Sequence, residues 1–254
     1  MRILVTNDDG IYAPGLLALA RALAPLGEVT VIAPERQQSA AGHGITLHKP
    51  LRMTPVELDA PVAEAYATNG TPADCAILAT AEDRPAPDIV VAGINGGANL
   101  GEEVLYSGTV SAAMEGALQG IRSFAISVTA YEQCIFEPAA EFAALVARRI
   151  ATHELPEDTF LNINVPNLPA EELGPAMLTR LGRREYVNSL DRRVDPRGRS
   201  YYWFSGEPSE CDCEEGTDIG AIHAGRISVT PIRFDMNFRG ARGELEVLLD
   251  GLME

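Results

Sequence analysis

The chain has 254 residues, 46% of them hydrophobic, and its 36 acidic against 20 basic side chains give a formal net charge of −16. That length suits one large α/β domain or a domain plus an appendage. The acidic balance argues against a duplex nucleic-acid groove, which needs clustered positive charge, and no apolar run approaches the ~18 residues of a membrane span.

Arg2–Thr6 predicts a buried strand, running straight into Asn7-Asp8-Asp9-Gly10. Arg2 and the early aspartates do not fit a signal peptide, so a cytoplasmic location is expected. Pro14–Pro25 predicts a helix opened by a proline in its first turn, and Val29–Ala33 a second strand. Ala63–Ala67 follows as a strand and Pro72–Ala81 as a helix. Ile89–Ala92 is nearly all β-branched, as a parallel strand covered on both faces should be. Helix, strand, helix and strand follow at Val110–Gln119, Phe124–Val128, Pro138–Ile150 and Phe160–Val165. This alternation implies a doubly wound, mostly parallel sheet in a single α/β domain over residues 1–254.

After Pro166 the rhythm breaks. Leu178 to Ser200 reads as irregular and holds seven arginines, followed by Tyr201-Tyr202-Trp203-Phe204, with strand character returning at Ile227–Ile232. Residues 178–240 are therefore expected to include a protruding arm. Aromatics beside arginines suit a subunit contact, or a hairpin packed on its own body; the contact is slightly preferred. Cys75, Cys134, Cys211 and Cys213 form no CxxC pair and read as reduced thiols. Lys49 is the only lysine.

In an open α/β sheet, ligands bind outside the carboxyl ends of the strands. Just past the first strand, Gly10 lets the backbone turn so that Asp8 and Asp9 converge on one point. Unpaired, they would raise each other's pKa, a conflict that Mg²⁺ or Mn²⁺ removes. The competing reading is a plain Asn-Asp-Asp-Gly turn or a helix cap. The second strand opens into a loop with Ser39 and His43; the imidazole could line a base pocket, protonate a leaving alcohol, or sit idle at the surface. The third informative stretch is "GINGGANLGEEVLYSGTV". There Ser107 is a natural N-cap of the following helix, whose exposed amides and dipole make an anion site. Asn95 and Asn99, in the same loop, could ligate an ion, donate to a phosphoryl oxygen, or simply serve the turn.

A dinucleotide oxidoreductase needs G-x-G-x-x-G after its first strand, and a nucleoside-triphosphate hydrolase needs GxxxxGK[ST]; neither is here. A receiver-like, Mg²⁺-binding phospho-switch also carries an acidic pair after its first strand. It further needs an acceptor aspartate, where this chain has Asn95, and a lysine after a late strand, where Phe124–Ala130 has none. Metal-assisted hydrolysis of a phosphomonoester is what remains.

The chain resembles the SurE (survival protein E) family of metal-dependent 5′/3′-nucleotidases. The resemblance rests on "RILVTNDDGIYAPGL", "APERQQSA", "TNGTPADC", "GINGGANLGEEVLYSGTVSAAMEG", "NINVP" and "TDIGAIHAGRISVTPI", in the family's order over nearly the whole chain. It implies a Rossmann-like domain with a C-terminal extension exchanged between subunits of a homodimer or homotetramer. It implies one divalent ion, Mg or Mn, on Asp8, Asp9, Ser39 and Asn95, with phosphate contacts from Asn99, Ser107, Gly108 and Thr109. The implied substrates are nucleoside monophosphates, and for some members short polyphosphate. Glu102-Glu103 departs from the family pattern, in which an aspartate is usual nearby. For in-line attack by water Asp9 is the preferred base, since a metal-bound carboxylate can still orient a water, with Asn99 and Ser107 completing the catalytic set. An aspartyl-phosphate route through Asp8 or Asp9 is less favoured because coordination would occupy their lone pairs.

Overall fold

The structure, a computed structural model, describes residues 1–183, 186–187, 190–204, 207–208 and 213–237. Its strands are β1 (Arg2–Thr6), β2 (Glu28–Pro34), β3 (Met53–Pro55), β4 (Glu64–Thr68), β5 (Ile89–Gly96), β6 (Arg122–Val128), β7 (Thr159–Val165), β8 (Gly174–Leu178), β9 (Tyr186–Val187), β10 (Leu190–Val194), β11 (Ser200–Phe204), β12 (Glu207–Pro208) and β13 (Arg226–Arg233). The α-helices are α1 (Pro14–Leu23), α2 (Pro72–Leu78), α3 (Gly108–Leu118), α4 (Glu137–Thr152) and α5 (Asp218–His223).

Nine strands form one sheet in the order β3-β4-β2-β1-β5-β6-β7-β13-β8. All its pairings are parallel except β3 with β4 and β13 with β7. The mostly parallel α/β architecture read from the alternating pattern is therefore the one observed. Alternate residues of the central strands serve opposite faces. Ile3 and Val5 pack with α1 and α4, while Leu4 faces the layer formed by α2 and, beside it, α3. Both faces being covered, the strands need apolar side chains at every position, which is why they lack a polar alternation.

The chain leaves β1 toward β2 on one side and returns to β5 on the other, so β1 and β5 flank the switch point of the sheet. Ligands of such sheets bind there, because the loops splay apart. β5 adds a further device. Its register with β6 runs Ala92↔Ala125 and then Asn95↔Ser127, so β5 carries one extra residue. An extra residue shifts the phase of a strand whose side chains alternate, and so re-aims everything after it. The strand runs on to Gly96, four residues past its expected end at Ala92.

The loop after β2 is tied down over its length. Gln38 N–H donates to Asp8 O (2.7 Å) and Gly42 N–H to Tyr106 O (3.0 Å). The Thr71 hydroxyl donates to Gly44 O (2.7 Å), and Thr46 N–H to the buried Asp74 carboxylate (3.0 Å). Asp74 also completes a capping box with Thr71 at the start of α2.

The segment expected to be irregular holds a β-hairpin. β10 and β11 pair antiparallel across a turn closed by Asp195 N–H to Arg199 O (2.9 Å) and Gly198 N–H to Asp195 O (2.9 Å). Neither strand has a fully buried residue, so no face required the alternation that would have announced it. Arg184, Cys211 and parts of the expected 178–240 arm lie outside the described residues. Cys75 and Cys134 are free thiols, whereas Cys213 is in a disulfide, contrary to the reduced state expected for it.

Burial pushes the Asp74 carboxyl up, but hydrogen bonds from Thr46 and Thr71 outweigh it and hold the group below its ordinary value. A lowered acid stabilises the fold above its unfolded value and loses that contribution as pH falls through the folded one. Asp74→Ala is expected to cost about 1–3 kcal/mol at pH 7. Urea unfolding should show that deficit shrinking as the pH is taken below the normal aspartate range.

Candidate functional site

Three loops meet beyond the carboxyl ends of β1, β2 and β5, around a cleft of about 580 Å³. Asp8, Asp9, Ser39, Asn95, Asn99 and Ser107 all line it. These residues span a hundred positions of sequence. Gly108 and Thr109 stand just behind, against Asp8.

The first loop works by division of labour. Asn7 is the turn residue: its Nδ2 donates to Gly10 O (3.0 Å), and Gly10 N–H donates to its Oδ1 (3.2 Å). The turn is thus served without either aspartate. Asp8, buried, accepts a hydrogen bond from the Thr109 hydroxyl. A methyl on Gly108 would lie 2.8 Å from Asp8 Cβ, so only glycine lets the start of α3 come this close. Asp9 accepts from Gly96 N–H (3.3 Å) and, at the exposed rim, from Gln37 Nε2 (3.4 Å).

Burial pushes both carboxyls above their ordinary values. For Asp8 the hydrogen bond from Thr109 partly offsets this, and the neighbouring Asp9 charge adds to it; for Asp9 the Gly96 and Gln37 hydrogen bonds oppose it. Of the repulsion expected between adjacent carboxylates, the part felt by Asp8 is present, and desolvation is the larger cause for both groups.

Asn95, re-aimed by the extra residue in β5, donates its Nδ2 to Gly97 O (2.7 Å). That engages one N–H of the amide with the loop, while Asn95 still lines the cleft. Ser107 caps α3 by accepting from Val110 N–H (3.1 Å). Asn99 is clamped from behind: its N–H donates to Asn164 Oδ1 (2.8 Å), and its carbonyl accepts from Asn162 Nδ2 (2.8 Å) and Asn164 Nδ2 (3.0 Å). Its own Nδ2 donates to the Ser127 hydroxyl (2.8 Å).

Asn162, Asn164 and Ser127 were not singled out as site residues. The signal was there, since two asparagines two positions apart inside an otherwise apolar strand face the same way and need partners. His43 does not line the cleft; its Nε2 lies 2.8 Å from the buried Glu115 carboxylate of α3, so it anchors the second loop. Lys49 is spent on Asn69 O (2.8 Å), away from the cleft. Burial pushes the Cys75 thiol up to about 12, which leaves it protonated and unreactive.

Among the described residues the lining contains four carboxylates, Asp8, Asp9, Glu102 and Glu103, and no lysine, arginine or histidine, with Arg183 Nε 4.0 Å from Glu102 Oε1. By itself such a wall repels an anion. Among the described residues no group of three His, Cys, Asp or Glu side chains has metal-binding geometry. Two carboxylates and the neutral oxygens of Ser39 and Asn95 in one lining would suit a hard, oxygen-preferring divalent cation.

Residues 3–188 match the family model described as survival protein SurE. The 5′-nucleotidase SurE of Moorella thermoacetica is 52% identical over 99% of this chain and 97% of its own length. That of Heliobacterium modesticaldum is 52% identical over 93% of this chain and 87% of its own. The crystal structure of the SurE protein from Aquifex aeolicus, 40% identical, superposes with a TM-score of 0.86 over 98% of this chain and 99% of that one.

Because the folded environment disfavours the Asp8 charge, that charge costs stability at every pH above the normal aspartate range. Asp8→Asn is expected to raise the melting temperature in EDTA by about 2–4 °C, the shift that ~1 kcal/mol gives in a chain of this size. Millimolar Mn²⁺ should raise the parent's midpoint and leave the variant's unchanged in differential scanning calorimetry.

Proposed function

The chain belongs to the SurE family, and on that premise we propose that it is a divalent-metal-dependent phosphomonoesterase hydrolysing nucleoside 5′- and 3′-monophosphates to nucleoside and phosphate. The observation that carries this reading is the convergence of Asp8 and Asp9 with Ser39 and Asn95 in one cleft beside the amino end of α3. A phosphate dianion enters such a place only if a cation is already there. Asp8, Asp9, Ser39 and Asn95 would hold one Mg²⁺ or Mn²⁺, which when bound supplies Lewis acidity and cancels the carboxylate charge.

The chain's own groups do the rest. The Gly108 and Thr109 amides open α3, where helical geometry provides no internal acceptor; Thr109 directs its amide to Asp8, and that of Gly108 is the one offered to phosphoryl oxygens. Ser107 accepts from Val110 N–H through a lone pair, which leaves its hydroxyl proton to donate to the same group. Asn99, fixed by its three buried partners, offers its side chain without the entropy of a mobile loop. The Thr109 hydroxyl holds Asp8 in place. Asp9, less buried than Asp8, orients the attacking water and takes its proton.

The receiver-like alternative finds no support. Asn95 cannot accept a phosphoryl group, and the one lysine is engaged elsewhere. The β10–β11 hairpin exposes Tyr202 (59%), Trp203 (60%) and Phe204 (91%), which supports a role in a homodimer or homotetramer.

Two experiments test these statements. A phosphate-release screen over 5′- and 3′-nucleotides and short polyphosphate should show turnover that EDTA abolishes and Mn²⁺ or Mg²⁺ restores, and that falls ~10³-fold or more in Asp9→Asn. Turnover indifferent to chelation would defeat the assignment. Light scattering should give a dimer or tetramer for the parent and a smaller species for a Trp203→Asp, Phe204→Asp double variant.

A further inference from the structure

One fully buried acidic group takes no part in the cleft. Asp218 opens α5, on the return from the hairpin excursion, and is 0% exposed. One of its oxygens accepts from Gly182 N–H (2.7 Å) and Ile219 N–H (2.8 Å). The other reaches across the fold to Gly101 N–H (2.9 Å), 117 residues away. Gly101, at φ +52°, begins the 3-10 turn Gly101–Leu105 that lies between Asn99 and Ser107.

The surroundings tie the same point to the root of the arm. Arg180 N–H donates to Gly216 O (3.0 Å) and Asp218 N–H to Arg180 O (2.9 Å), so the outgoing and returning segments are zipped together where the hairpin leaves the body. Capping of the short helix α5 does not explain the side chain, because Thr217 already accepts from Gly220 N–H (2.9 Å). An amide could not replace the carboxylate: its NH₂ would face a backbone N–H on one side or the other.

We infer that Asp218 is a positioning residue for the phosphate-binding loop, joining Gly101 of that loop to Gly182 at the arm's root and thereby holding Asn99 and Ser107 in register with each other. Asn99 is fixed from beneath by β7, and Ser107 by α3. The turn between them has to keep its curvature for both to reach one phosphoryl group, and Asp218 sets where it begins. The inference rests on the phosphatase reading of the cleft.

The test compares Asp218→Asn with Thr217→Val at 25 °C, using a nucleoside 5′-monophosphate that the parent hydrolyses; a parent inactive on every nucleotide would instead sink the phosphatase reading. Asp218→Asn is expected to lower kcat ~10–100-fold with KM changed less than about threefold, since misplacement by ~1 Å costs about that much. Thr217→Val, which removes the cap and leaves the Gly101 contact, is expected to lower the melting temperature while kcat stays within twofold. Equal losses in the two variants, or parental kcat in Asp218→Asn, would overturn the inference. Should Asp218→Asn not fold, Gly182→Ala serves. Its methyl would stand 3.1 Å from the Asp218 carboxylate and 2.9 Å from Ile219, displacing the carboxylate slightly. A drop in kcat without a change in oligomeric state supports the role, and an unchanged kcat in that folded variant refutes it.

Discussion

Everything near the cleft follows from placing like charges where water is scarce. Asp8 and Asp9 sit at the end of a buried strand, with the exposed Glu102 and half-buried Glu103 in the same lining. Their environment disfavours the charged forms of both aspartates. Such an arrangement persists only if the fold over-determines it. Asn7 takes over the turn, Thr109 and the Gly96 amide donate to the carboxylates, and the positive end of α3 abuts Asp8. On the proposed reading the same helix end would serve two anions: the resident aspartate and an incoming phosphoryl group. Gly108 is what permits this double use, because any side chain there would push the helix off Asp8.

Behind the charged wall lies a second, neutral layer. Asn162 and Asn164 of β7 grip the backbone of Asn99, Ser127 of β6 receives its side chain, and Asp218 grips Gly101. The loop proposed to carry the phosphate contacts is thereby hung from two strands and one short helix. Buried polar groups are costly unless satisfied. The network meets nearly all of its own demands, leaving the Asn162 Oδ1 without a partner. Stiffness at the site is obtained from this layer and not from the loop's own sequence, which is rich in glycine.

Much of this was legible in the amino-acid order. The central strands announce themselves because both their faces are covered, and the helices because Pro14, Thr71 and Ser107 mark their starts. The aspartate pair was legible because it stands at a strand end with a glycine behind it. What stayed hidden has physical reasons. The extra residue in β5 leaves no compositional trace, since Gly93 and Ile94 read equally well as loop. The β10–β11 hairpin has no buried face and therefore no period. The His43 to Glu115 and Asp218 to Gly101 contacts join residues 72 and 117 positions apart, and spacing along a chain carries no information at that range.

The solitary Lys49 has a practical corollary. Its amine sits on the Asn69 carbonyl, clear of the cleft. Apart from the α-amino group of Met1, no other side chain can react with an amine-selective ester. A dye, tether or surface could therefore be attached through the Lys49 side chain without covering the cleft mouth, which makes the molecule suited to uniform immobilisation.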